Sequence, residues 1–192
     1  EWERFKEKMQ IRSDFYTSTK QYPMQEPSVG GNAVSTEQDL SLLFFERVTQ
    51  LASDDSYVTQ IMPGNFFLGA TAKDLREYLL EETQMEHFVQ FQNRGIFSDI
   101  DDRYRLAICT FKNSGSTDVV TGGFRVGDLS ILTDFDTEAI EVPADVLRRY
   151  SPESRVFPFL RSQEQISALS EIVQHPSIGE EVDGVWKAKV YM

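Results

Sequence analysis

The sequence predicts an α/β protein: a mostly parallel sheet whose last strand is antiparallel, followed by a smaller α+β segment. Three observations carry this. Apolar residues recur at helical spacing over 35–51 and 71–82. Short β-branched and aromatic runs at 57–62, 85–91 and 104–111 read as strands. The order helix–strand–helix–strand–strand, with crossovers of a dozen or more residues, argues a mostly parallel sheet with an antiparallel final strand.

Taken in order, 1–10 has helix-forming composition, with Trp2, Phe5 and Met9 near helical spacing. Residues 14–31 are polar and broken by Pro23, Pro27, Gly30 and Gly31, and read as a long loop. In the helix over 35–51, Ser35 and Gln38 form a capping-box pattern, and Leu40, Leu43, Phe44, Val48 and Leu51 are expected inward, with Leu42 and Phe45 widening that face. Pro63 ends the first strand, and Pro63 and Asn65 lie on the crevice loop at its carboxyl end. Thr71 is the expected cap of the next helix, with Ala72, Leu75 and Leu79 inward. Asn93-Arg94-Gly95 is a turn signal, because glycine takes positive φ without steric cost. The polar run 112–121 reads as a break, dividing the chain into 1–112 and 113–192. Strands and turns are hard to separate over 123–142. A short helix over 143–150 follows, then one over 163–174 capped by Ser162, with Ile166, Leu169, Ile172 and Val173 on one face.

Composition narrows the function. The chain has 192 residues, a net charge of −12, two histidines and one cysteine. A lone Cys109 in an apolar strand gives no disulfide framework and reads as a buried thiol. The histidines have no metal-binding spacing, so no metal is expected. No apolar run reaches the length of a membrane span and no leader pattern opens the chain, which points to a cytoplasmic protein. The acidity is awkward for DNA binding, because phosphate contacts need cations. Either this part faces away from DNA, or other segments grip it, or the charge serves solubility.

The most informative stretch is 93–111, NRGIFSDIDDRYRLAICTF. Asn93, Arg94, Ile96, Phe97, Asp101, Arg103, Tyr104, Arg105, Ala107, Thr110 and Phe111 resemble, at fixed spacing, the last part of the catalytic domain in large N6-adenine DNA methyltransferases, those of type IIG restriction-modification and phage defence. SPESRVFPFLRS at 151–162 resembles a segment that follows that domain, and Val185-Trp186-Lys187 resembles the tryptophan segment after it. Asp39 to Arg47 resembles a helix of the same family.

The resemblance implies a Rossmann-like methyltransferase sheet and an S-adenosylmethionine-dependent parent enzyme acting on DNA. It places an aromatic for the flipped target base at Phe97; the alternative for Phe97 is a core residue beneath the loop. Arg94, Arg103, Arg155 and Arg161 are candidate DNA contacts, the alternative for Arg94 and Arg103 being pairing with Asp99, Asp101 or Asp102. Two parts of the family's machinery are not in this sequence: the glycine-rich cofactor turn after a strand, and the Asn-Pro-Pro-aromatic tetrapeptide. No catalytic residue is therefore assigned here. With Glu1 rather than methionine first, the sequence reads as the back half of the enzyme, inactive and unable to bind cofactor alone, and partnered by a missing N-terminal half. The competing reading is a non-catalytic α/β binding or interaction domain.

Overall fold

The computed structural model describes residues 1–18, 20–34, 39–127, 129–176 and 184, with backbone only at 17, 18 and 125. Helix α1 (Trp2–Ser18) leads into a two-stranded hairpin, β1 (Ser28–Val29) and β2 (Asn32–Ala33). Then come α2 (Leu40–Leu51), β3 (Tyr57–Pro63), α3 (Lys73–Glu81), β4 (Gln84–Gln92), β5 (Arg105–Lys112) and β6 (Val119–Val126). The last elements are α4 (Phe135–Glu138), β7 (Ile140–Pro143), α5 (Ala144–Tyr150) and α6 (Gln163–Ile172).

The main sheet has the order β3-β5-β4-β6-β7. β5 is antiparallel to both β3 and β4, β6 is parallel to β4, and β7 is antiparallel to β6. β3, β4 and β6 therefore point one way, and their carboxyl ends at Pro63, Gln92 and Val126 share one end of the sheet. The α/β class and the three expected strands are present within a residue of their expected ends. The reversed strand β5 is inserted between β3 and β4 rather than added outside them. β6 begins inside the stretch read as a break and extends the sheet on the other side of β4, and its Val120 and Phe124 join the same core as β3 to β5.

One face of the sheet is closed by α2, α3, α5 and α6. Its core runs through a series of phenylalanines: Phe45 to Phe66 at 4.9 Å between ring centroids, Phe66 to Phe67 at 4.8 Å, Phe67 to Phe88 at 4.5 Å, and Phe88 to Phe157 at 5.2 Å. These offset and edge contacts add to the area buried. Cys109 lies in this core, and burial pushes its thiol up to about 12. On the other face a smaller cluster packs Ile131 with Val89 and Phe91 of β4 and Leu106 of β5.

Several local expectations need correction. α1 continues through Asp14, Phe15 and Tyr16, because proline and glycine first appear beyond it and nothing stops the helix earlier. Ser35 and Gln38 lie outside the described residues; the cap of α2 is Asp39, whose carboxylate accepts from the Ser41 N–H at 2.8 Å. The core side of α2 is Leu42, Leu43, Phe45, Glu46 and Thr49, while Leu40, Phe44 and Leu51 form an exposed stripe opposite. An apolar pattern on both sides of a helix cannot say which side faces the core. Thr71 is not a cap: residues Ala70–Ala72 form a 3-10 turn, and α3 begins at Lys73 with no side-chain cap. Ser162 does cap α6, accepting from Gln165 N–H, but Ile172 points to solvent. Residues 185–187 lie outside the described set.

Candidate functional site

The carboxyl ends of β3, β4 and β6 meet the loop 93–104 at one end of the sheet. In open α/β sheets ligands bind outside this end, where the strand order reverses. Here the chain leaves β4 for β5 on one side and returns to β6 on the other.

The loop is organised by Asn93, which is fully buried. Its backbone N–H donates to Tyr104 O at 2.8 Å. Its amide nitrogen donates to Phe97 O at 2.9 Å and Ile100 O at 2.6 Å, and its amide oxygen accepts from Phe97 N–H at 2.8 Å. Three side-chain bonds from one residue hold the turn on both sides of Phe97. Gly95 at φ 81° and Arg94 at φ 41° make the reversal. Phe97 is 37% exposed. It is a large apolar residue partly open to solvent on a loop latched by Asn93, and Ile96, Ile100 and Tyr104 of the same loop are also exposed. In the sequence Asn93 reads as turn punctuation and as the first residue of the resembling stretch; the signal for its latch is its capacity for three amide hydrogen bonds next to a positive-φ glycine.

Beside the loop lies a cleft of about 620 Å³ between the ends of β4 and β6. It opens where the ladder becomes irregular: Val89 pairs with Gly123, but Phe91 pairs with Val126, so β6 carries an extra residue there. Arg94, Arg105 and Arg161 line it, with Gln90, Gln92 and Glu138. Arg105 lies over the ring of Phe159 at 4.8 Å. Two of the DNA-contact candidates, Arg94 and Arg161, are thus brought together, and Arg105 joins them without having been singled out in sequence.

The other two stand apart. Arg103 is 87% exposed and forms a bidentate pair with Asp101, at 3.0 and 2.8 Å, which holds that carboxyl below the usual carboxylate range. This is the internal pairing considered as its alternative. Arg155 is only 19% exposed and is turned inward onto Glu77 at 3.4 Å and the carbonyl of Pro152 at 2.7 Å. Pro63 and Asn65 sit at the carboxyl end of β3, and Asn65 O accepts from the N–H groups of Leu68 and Gly69, closing the turn.

Behind these loops is Arg76, fully buried on α3. Its guanidinium donates to the carbonyls of Phe66, Ser154 (2.6 Å) and Arg155 (3.0 Å), and burial lowers its pKa to about 10, so it stays charged near neutrality. It ties the turn after β3 to the 151–157 segment, as does Phe157 N–H on Phe67 O at 3.0 Å.

Residues 14–97 match the family model described as Eco57I restriction-modification methylase. Over those residues, less than half of the chain, it is similar to the restriction-modification methylases. The matched residues include α2, β3, α3 and β4 and end at Phe97. None of the curated proteins matches it. Among solved structures, the domain resembles the type IIG restriction endonuclease BpuSI, at 18% identity and TM-score 0.50 over 77% of this chain and 18% of that one. It resembles a type I restriction-modification system at 14% identity and TM-score 0.52, over 75% of this chain and 38% of the other. It also resembles the EcoKI M protein of a type I restriction enzyme, at 11% identity and TM-score 0.50, over 77% and 43%. At these identities the likeness is one of fold, and the domain spans 18% to 43% of those chains.

Five of the described glycines serve local backbone geometry. A Cβ at Gly122 would lie 1.6 Å from Phe88 O, and one at Gly123 2.4 Å from Val126, so both serve strand packing. Gly30 and Gly31 turn β1 directly into a second strand, β2, and Gly64 lets Arg105 approach. Among the described residues no strand–glycine turn–helix unit suits S-adenosylmethionine. No helix described is long and apolar enough to cross a membrane.

Proposed function

We propose that this chain is the target-base half of a cytoplasmic, S-adenosylmethionine-dependent DNA methyltransferase specific for adenine N6, in restriction-modification or phage defence. The cofactor and the catalytic tetrapeptide belong to a preceding half, and the chain alone transfers no methyl group. One observation carries the reading: Phe97, at the end of the family match, is an exposed ring on a loop latched by Asn93 at the carboxyl end of the sheet. A base taken out of the duplex needs a stacking partner of this kind, and Phe97 supplies it. Pro63 and Asn65 line the neighbouring side of the crevice.

Support for the missing half comes from what this chain leaves uncovered. β3 is an edge strand with Tyr57 and Ile61 exposed, and α2 presents Leu40, Phe44 and Leu51 to solvent. Long apolar edges are normally paired or covered. The division at 112 belongs to the same reading: 1–112 carries the methyltransferase-like strands β3 to β5, and 113–192 leads toward target recognition while packing on the same core. The test is to incubate the full-length protein with labelled cofactor and DNA and to analyse the nucleosides. N6-methyladenine is expected. Transfer to cytosine would overturn the adenine assignment, and no transfer would favour a non-catalytic interaction domain.

A further inference from the structure

The chain is strongly acidic, and its described arginines beyond α1 are mostly consumed internally. Arg103, Arg148, Arg149 and Arg155 pair with carboxylates, and Arg76 is satisfied by carbonyls. Arg94, Arg105 and Arg161 are different. Among the described residues none of these three has a carboxylate within ion-pair distance, and all three line the same cleft. Three guanidiniums against one lining carboxylate, Glu138, leave the concavity net positive, which favours an anion there. Arginine, with its planar fork of donors, matches phosphate oxygens in pairs.

We infer that this cleft, between the carboxyl ends of β4 and β6, binds the sugar–phosphate backbone of the DNA strand that carries the extruded base. The inference rests on the DNA part of the reading above and adds the site that grips the strand. The geometry favours a backbone over a free nucleotide. Gly122 and Gly123 in the cleft lining are taken up by strand packing, so they offer no nest of backbone N–H groups to a polyphosphate. Arg94 and Phe97 are three positions apart in one Asn93-latched turn, so a strand whose base reaches the ring passes the guanidinium. Arg105 is pre-oriented by the Phe159 ring, and Arg161 faces it from the segment after α5. In a chain of net charge −12, attraction for DNA must be local, and this is where uncompensated positive charge is concentrated.

The test is the salt dependence of binding of a fluorescein-labelled DNA duplex to the full-length protein. Each phosphate contact contributes about −0.9 to the slope of log K against log salt. Arg94→Gln and Arg161→Gln should each make the slope shallower by roughly 0.9, and the double variant by about twice that, with weakening similar across DNA sequences. Arg103→Gln, in the same loop but paired with Asp101, should leave the slope unchanged. Unchanged slopes in both cleft variants, or an equal change in Arg103→Gln, would overturn the proposal, as would the absence of DNA binding at low salt. The two readings separate cleanly. Methyl transfer with unchanged slopes removes the cleft alone; shallower slopes without methyl transfer keep the cleft and remove the enzymatic assignment.

Discussion

Arginine is used in two opposite ways on neighbouring parts of this molecule. Under the turn after β3, Arg76 is sealed from water and spends its donors on the carbonyls of Phe66, Ser154 and Arg155. In the cleft between β4 and β6, Arg94, Arg105 and Arg161 have no carboxylate within ion-pair distance among the described residues. The first arrangement is structural: the charge is satisfied by the chain and holds two segments together. The second is an unfinished electrostatic arrangement, completed by something outside the chain. The contrast separates residues whose loss unfolds the protein from residues whose loss spares the fold and weakens binding.

The largest effect is expected at the sealed site. Arg76→Leu leaves several buried carbonyls without donors, each costing about 1–3 kcal/mol, so a loss on the order of 3–5 kcal/mol is expected. For a chain of this size that corresponds to a fall in Tm of roughly 10 °C or more. A Tm within about 2 °C of wild type in thermal denaturation would erase the distinction between the two arginine regions.

Next is the latch. Asn93→Ala removes three side-chain hydrogen bonds within the loop. A stability loss of about 1–3 kcal/mol is expected, with faster amide exchange at Phe97 and Ile96. Unaltered exchange would mean that the turn holds without Asn93.

Glu46 is the acidic counterpart of Arg76. It is fully buried and accepts from Gln25 at 2.8 Å and from Met24 N–H at 3.2 Å. Burial raises its pKa above 4.5, against those hydrogen bonds. With a folded pKa above the unfolded one, its favourable contribution is full below pH 4.5 and is lost as pH rises through the folded pKa. The Tm of Glu46→Gln relative to wild type should therefore climb as pH rises from about 4.5 to neutrality. A difference independent of pH over that window would show that the carboxyl is not penalised by its site.

The smallest effect on stability belongs to the cleft. Arg94→Gln and Arg161→Gln should shift folding free energy by no more than about 0.5 kcal/mol, as exposed substitutions do. Denaturant midpoints test this; a loss comparable to that of Arg76→Leu would show the cleft arginines to be part of the scaffold.

Much of the scaffold was legible in the sequence because its signals are local. The β-branched run at 105–112 and the Asn93–Gly95 turn define their own conformations, and Ser162 caps the helix it precedes. What was not legible depends on partners distant in sequence. In α2, Leu42, Leu43 and Phe45 are buried as expected but Leu40, Phe44 and Leu51 are not, because both sides are apolar and only packing against β3 and the 3-10 turn at 64–67 distinguishes them. Arg76 looked like any surface residue of an amphipathic helix; its partners lie 78 and 79 positions away. Arg105 reads as the first residue of a strand, and its place in the cleft follows from the irregular pairing of β4 with β6. Of the four arginines first considered for DNA, sequence could not separate Arg103 and Arg155, which pair internally, from Arg94 and Arg161.

The central claim is that Phe97 supports an extruded base, and one variant tests it most directly. In the full-length protein, Phe97→Ala should lower the methylation rate roughly 5- to 150-fold, since base stacking on an aromatic is worth about 1–3 kcal/mol and about 1.4 kcal/mol is tenfold. Its melting temperature should stay within a few degrees of wild type, because the ring is 37% exposed. A large fall in melting temperature with normal turnover by the folded fraction would contradict the account, and would make Phe97 a packing residue of the loop.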